Sequence, residues 1–289
     1  MTYRFGLLLV IPVLGLTGCA GGVLDPQGPI GAANRTILLN SLGIMLAIVI
    51  PVIVATLFFA WWFRSGNPRA VYLPDWVYSG QIELVVWAVP AMVVLLLGSI
   101  AWVGSHDLEP SKPLPSRAKP IEVQVVSLDW KWLFIYPEQN IATVNRLVVP
   151  VGTPINFRLT SATVMNSFFV PQLGSQIYTM TGMATRLNLQ ADRPGRYPGL
   201  SAQYSGAGFA DMHFLVEAVA PTRFAGWAAS VREKTPTLDA NAYAGLAKRT
   251  ANLPPMAFGR VVPGLFDAVV MQRAPMSQKP MLDDGRMKR

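Results

Sequence analysis

Two uninterrupted apolar runs decide most of what this chain can become. From Thr36 to Phe63 no charged residue appears, and Leu84 to Val103 forms a second such run. A bilayer core of ~30 Å needs about 20 apolar residues in a helix, so each run is long enough to span it. Trp61, Trp62 and Arg64 close the first as an aromatic belt with a positive flank. Glu83 opens the second, and His106 and Asp107 follow it. Pro51 falls inside the first run, which lipid-embedded helices tolerate because neighbouring groups re-satisfy the freed backbone. Composition agrees, since 52% of the 289 residues are hydrophobic and 14% charged, too apolar for an ordinary soluble domain. The net charge of +8 would suit a nucleic-acid binder, but no Lys/Arg run tracks a phosphate backbone. It reads instead as solvated surface and membrane-flanking charge.

Ahead of the first span, Arg4 precedes the apolar stretch Phe5 to Leu16, which gives way to Thr17-Gly18-Cys19-Ala20. A basic n-region, a short h-region and small residues at the cleavage point make residues 1–18 a secretory signal, too short to span a bilayer. Leu16-Thr17-Gly18-Cys19 resembles the bacterial lipoprotein box, which implies lipidation of Cys19 as the first residue of the mature chain. The plainer reading is an ordinary signal with an incidental cysteine. Cys19 is the only cysteine, so no disulfide forms within the chain. With the mature N-terminus exported, the connection carrying Arg64 and Arg69 against Asp75 is cytoplasmic, as positive-inside requires. The expected location is a bacterial inner membrane, with a lipid-anchored two-span hairpin over residues 19–110 (spans about 36–63 and 83–104) and the C-terminal bulk on the periplasmic side.

Beyond Pro110 the pattern changes. Residues 20–34 and Pro110 to Pro120 read as linkers. Ile121, Val123 and Val125 alternate with Glu122 and Gln124, while Ile155, Phe157 and Leu159 alternate with Asn156, Arg158 and Thr160. Pro150-Val151-Gly152-Thr153 is a turn after Leu147 to Val149. Ser167 to Val170, Thr185 to Leu189 and Met212 to Ala218 are further strand candidates. Such a series over about a hundred residues predicts a β-sandwich or barrel across 111–220. In the tail, 221–289, Phe224, Trp227, Ala228 and Val231 follow helical spacing. Ala240 to Thr250 and Leu265 to Gln272 are shorter helix candidates, followed by a polar, basic end.

At this point the chain resembles subunit II of the haem-copper oxidases. The resemblance lies in Ile82 to Pro90 (IELVVWAVP), Leu108 to Pro113, Ser127 to Asn145 (SLDWKWLFIYPEQNIATVN) and Met165 to Tyr178 (MNSFFVPQLGSQIY). It implies a membrane α + β protein: a transmembrane helical hairpin, a cupredoxin-like sandwich and a short helical tail. Cytochrome c oxidases of the family hold a dinuclear copper centre in the sandwich, on a His and a loop Cys-x-Glu-x-Cys-x-x-x-His-x-x-Met. Paired thiolates bridge the two soft metal ions, with imidazole and thioether completing the sites. Here the corresponding residues are Asn166, then Ser201, Gln203, Ser205, Phe209 and Met212, and only Met212 keeps a ligating group. The resemblance therefore points to the quinol-oxidising branch, of bo type rather than the menaquinol relatives. It implies no cofactor or catalytic residue in this chain, with haems and copper in subunit I. Subunits I, III and IV, quinol and membrane lipids would be the partners, and nucleic acid would not.

The same resemblance implies that Glu83 marks the entrance of a proton pathway into subunit I. An acid in a first helical turn is also favoured by the macrodipole alone. Trp130 and Trp132 occupy the family's aromatic patch; without a copper acceptor, packing of the sandwich against subunit I suits them better. Phe209 is expected to fill the vacated site, and His213 and His106 to be ordinary strand and interfacial residues. Two other readings stay open. One is a copper-bearing cytochrome c oxidase subunit, which would need the cysteine pair. The other is a stand-alone cupredoxin-fold lipoprotein, against which the two-span hairpin counts.

Overall fold

The computed structural model of the chain describes residues 22–71, 73–116 and 118–274. Cys19, the expected signal segment and the basic end after 274 lie outside them. Two compact units result: residues 35–109, and the segment up to Asn34 together with the chain from Pro110.

Helix α1 runs Pro29–Trp62 and helix α2 runs Gly80–Asp107. The first begins ahead of the charge-free run because Pro29 suits a first helical turn and Ala32 and Ala33 propagate it. Both helices are apolar on every side, with mean hydropathies of 2.8 and 2.5 in their richest stretches. Large side chains such as Leu57 and Trp87 are exposed all round, as a membrane span requires and a soluble helix does not. At about 1.5 Å per residue these helices reach roughly 51 and 42 Å, more than the ~30 Å hydrocarbon core. They are long and apolar enough to cross a membrane. A Cβ on Gly104 would come 2.8 Å from Ile37 Cδ1, so this glycine permits close approach of the two helices.

The other unit is a β-sandwich. Strands β1 (Ile121–Leu128), β2 (Lys131–Tyr136), β3 (Ile141–Val144), β5 (Ile155–Ser161), β8 (Thr185–Leu189) and β12 (Met256–Phe258) make one sheet, in the order β12-β3-β2-β1-β5-β8. The second sheet, β4-β10-β9-β6-β7, takes β4 (Arg146–Pro150), β6 (Asn166–Phe169), β7 (Ile177–Thr179), β9 (Gly195–Ser201) and β10 (His213–Val219). The pairs β1·β5 and β4·β10 are parallel. Between the sheets Trp132, Phe134, Phe168 and Phe214 form an aromatic knot. Phe168 stacks on Phe214 at 5.0 Å, and Trp132 meets Phe168 edge-on at 5.4 Å. Tyr136 ties the sheets together, its hydroxyl donating to Val148 O at 3.0 Å and accepting from Val148 N at 2.9 Å.

The first sheet is covered on its other face as well. Leu128, Leu133, Ile135 and Val144 pack against Leu238, Tyr243, Leu246, Phe258, Phe266 and Val269. Helix α3 (Pro221–Lys234) precedes the residues that supply this cover, which come from β11 (Thr237–Leu238, paired with β13, Arg260–Val261), α4 (Ala240–Leu246), β12 and α5 (Leu265–Val270). Helix α3 contributes Phe224, Ala228 and Val231 to the inter-sheet core instead. The tail is thus a third layer.

Both supposed linkers are pinned rather than free. Gln27 N donates to Gln172 O at 2.7 Å, Gly31 N to Leu173 O at 3.1 Å, and Asn188 N to Pro110 O at 2.9 Å. A Cβ on Gly28 would meet Gln190 O at 2.1 Å, so only glycine allows that approach.

Candidate functional site

At one end of the second sheet, β6 begins, β9 stops and β10 begins. Pairing sets Phe168 opposite Ser201 and Leu200 opposite His213, which brings Asn166, Ser201 and Met212 together. All three are buried. Ser201 Oγ donates to Asn166 Oδ1 at 3.1 Å, and Asn166 Nδ2 donates to Val164 O at 3.2 Å. The same amide reaches Ser127 Oγ at 3.5 Å, and Ser127 Oγ shares a 2.9 Å bond with Thr179 Oγ1. Ser205 Oγ lies 4.0 Å from Met212 Sδ, and Ser201 Oγ also reaches the backbone carbonyl of Gln203 at 3.3 Å. Buried polar groups need partners, and here they supply one another. The network joins both sheets across the end of the sandwich.

A dinuclear copper centre does not fit this set. Its convergent atoms are hydroxyls and a carboxamide, with one thioether, and none can replace a bridging thiolate. Asn166 and Ser201 are instead joined side chain to side chain by the bond that Ser201 donates.

Phe209 departs from expectation. It sits half-buried in a 3-10 turn, Phe209–Asp211, with its ring 5.6 Å from that of the exposed Tyr204. It is thus less buried than Asn166, Ser201 and Met212, which are enclosed together.

The two tryptophans also separate. Trp132 has no exposed surface and belongs to the aromatic knot, so it cannot touch a partner subunit; its place on the inward face of β2 dictates this. Trp130 is half-buried in the β1–β2 turn at φ 62°. Its Nε1 donates to Ser205 O at 3.1 Å. A Cβ on Gly208 would stand 2.4 Å from its Cδ2, so the loop glycines exist to let the indole lie on the loop.

Sequence reasoning missed a second polar cluster beside this site. Lys131, fully buried, donates from Nζ to Lys248 O at 2.7 Å. Asp129 accepts from Thr163 Oγ1 at 2.6 Å and from Arg249 Nε at 3.2 Å. Burial lowers the Lys131 pKa, partly opposed by Asp129. Two charges flanking Trp130 in an otherwise apolar stretch were the available signal. They tie the β1–β2 turn to residues 248–249 of the third layer.

Elsewhere, Glu83 stands exposed in the first turn of α2. His106 holds Trp102 O at 2.9 Å with its ring 4.6 Å from the Trp102 ring, and His213 is exposed on β10. Among the described residues no three His, Cys, Asp or Glu side chains cluster as a metal site would.

Comparison with known proteins places these features. The family model for the cytochrome c oxidase subunit II periplasmic domain matches residues 122–219, and that for the COX aromatic-rich motif matches 232–274. Cytochrome bo(3) ubiquinol oxidase subunit 2 of Pseudomonas aeruginosa is 48% identical over 263 residues, covering 91% of this chain and 80% of the relative. The protein of the same name from Pseudomonas putida is 46% identical over 266 residues, covering 92% and 85%. Ubiquinol oxidase subunit 2 of Acetobacter aceti is 50% identical over 257 residues, covering 88% and 83%.

Proposed function

The chain belongs to the ubiquinol oxidase subunit 2 family, and from that premise we propose that it is the copper-free, membrane-anchored subunit of a terminal oxidase that oxidises ubiquinol and reduces oxygen to water. The observation that supports this reading is the buried Asn166–Ser201–Ser127–Thr179 network of hydroxyls and an amide, which includes Ser201, one of the two positions where the resemblance would need a bridging thiolate, the other being Ser205. A sandwich without that centre has no means of taking electrons from cytochrome c. Quinol dissolved in the membrane can instead deliver them directly to haem and copper centres in partner subunit I. This chain then supports subunit I from the periplasmic face of the inner membrane, with subunits III and IV completing the assembly.

Glu83 is the candidate entrance residue for protons on their way to subunit I. Its position supports this, since α2 begins beside it on the cytoplasmic side and ionisable groups at membrane depth are seldom idle. Cys19 is the candidate lipid anchor. Trp130, the half-exposed member of the aromatic pair, is the candidate contact with a partner subunit.

Affinity purification of the tagged chain from mild detergent tests the assignment. Haem-bearing subunits should co-purify, and membranes lacking the chain should lose quinol-driven oxygen uptake. A chain that purifies without haem, from membranes whose quinol oxidation is unchanged by its deletion, would reject it in favour of a free-standing lipoprotein.

A further inference from the structure

We propose that the loop between the two membrane helices holds an anionic phospholipid by its phosphodiester headgroup. Helix α1 ends at Trp62, and the chain folds back over its carbonyl end. Asn67 Nδ2 donates to Trp62 O at 2.6 Å, Arg64 Nη1 reaches Trp61 O at 3.4 Å, and Arg69 N donates to Asn67 Oδ1 at 3.1 Å. This fold leaves a cavity of about 630 Å³ lined by Phe63, Arg64, Asn67, Val71, Leu73 and Trp76, among others, with no acid among its described lining residues.

Two chemistries meet there. The Arg64 guanidinium, 5.4 Å from the Trp61 ring centre, spends a single donor on the helix end and keeps others for an oxyanion. Arg69 is exposed two residues beyond Asn67, and Asp75 is the sole acid between residues 35 and 82. Val71, Leu73 and Trp76 meanwhile expose 68, 65 and 61% of their surface. A free phosphate would use only the arginines and leave that apolar wall wet. A phospholipid uses both, with phosphate on the cations and glycerol and upper acyl carbons on Val71, Leu73 and Trp76. The cavity follows directly on a span that ends in Trp61 and Trp62, the depth at which headgroups lie, and a cytoplasmic leaflet rich in anionic lipid draws such basic loops.

Native mass spectrometry of the purified full-length chain in detergent tests this, with phosphatidylglycerol, phosphatidylcholine and inorganic phosphate as probes. The wild type should retain phosphatidylglycerol in preference to phosphatidylcholine, and millimolar phosphate should not displace it. Arg64→Gln/Arg69→Gln should weaken retention about twenty-five-fold, at about fivefold per basic residue beside an anionic lipid. Arg64→Lys/Arg69→Lys should retain most of it, and serves as the reference should the glutamine variant fail to enter the membrane. Equal retention of the two lipids by the wild type, equal retention by the glutamine variant, or displacement by phosphate would overturn the proposal.

Discussion

Lys131 carries an ammonium into a position with no exposed surface and satisfies it on one carbonyl. Burial lowers its pKa, so the unfolded chain binds that proton more tightly than the folded one. Stability therefore rises with pH between the lowered value and 10.5, the window in which only the unfolded state is protonated. In Lys131→Met that contribution is gone, so the variant's stability relative to wild type is greatest near neutrality and shrinks as pH climbs. Urea unfolding of both proteins from pH 7 to 10 measures the difference, and a constant gap would show that the ammonium's burial has no weight. At Glu83 the test is kinetic. Glu83→Gln should slow oxygen reduction with subunit content and haem unchanged, and full turnover in the assembled variant would reject a role in proton delivery. Single residues were unevenly legible. At the positions where the resemblance places copper ligands, the absence of a ligating group at all but Met212 is visible in the sequence, because it depends only on side-chain type at a given spacing. The full burial of Trp132 and the partial exposure of Phe209 were not, because facing depends on which residue of a turn or strand carries the side chain.

Among the elements, the strands with polar alternation were legible and β2 was not. Lys131–Tyr136 is buried at every residue because its sheet is covered on both faces, so the period-two signal of a half-solvated strand disappears. The helices were legible in kind, their bounds less so: α1 starts at Pro29 because helical backbone continues past the end of the apolar pattern. The loop 202–212 keeps its glycines for the indole of Trp130. Gly208→Ala should therefore cost about 1–3 kcal/mol, the usual penalty for forcing a side chain into filled space. Gly245→Ala, in helix α4 with open space around the new methyl, should instead be neutral or stabilise by ~0.5–1 kcal/mol. Thermal unfolding of the two variants compares them directly, and equal effects would mean that contact with Trp130 does not constrain the loop.

At the scale of the whole molecule, the short helical tail is the third layer of the β-rich unit. Its Tyr243, Leu246, Phe258, Phe266 and Val269 cover the outer face of β1, β2 and β3. Truncation before residue 235 would bare that face, and the chain should then aggregate or fail to accumulate in membranes; a truncated form with unchanged abundance and unfolding temperature would contradict the layered arrangement. Pairing between residues this far apart in the chain leaves no local trace, which is why the third layer escaped a reading based on periodicity. The two apolar helices and the sandwich carry no such difficulty, since length and alternation declare each of them locally.

The hydroxyl and amide network around Asn166 and Ser201 offers no thiolate that could bridge two metal ions. Copper content and visible absorbance of the intact purified chain, after incubation with excess copper and removal of the unbound metal, test it most directly. Negligible copper and no charge-transfer band are expected; a stoichiometric pair of copper ions with the purple absorbance of a mixed-valence centre would contradict it.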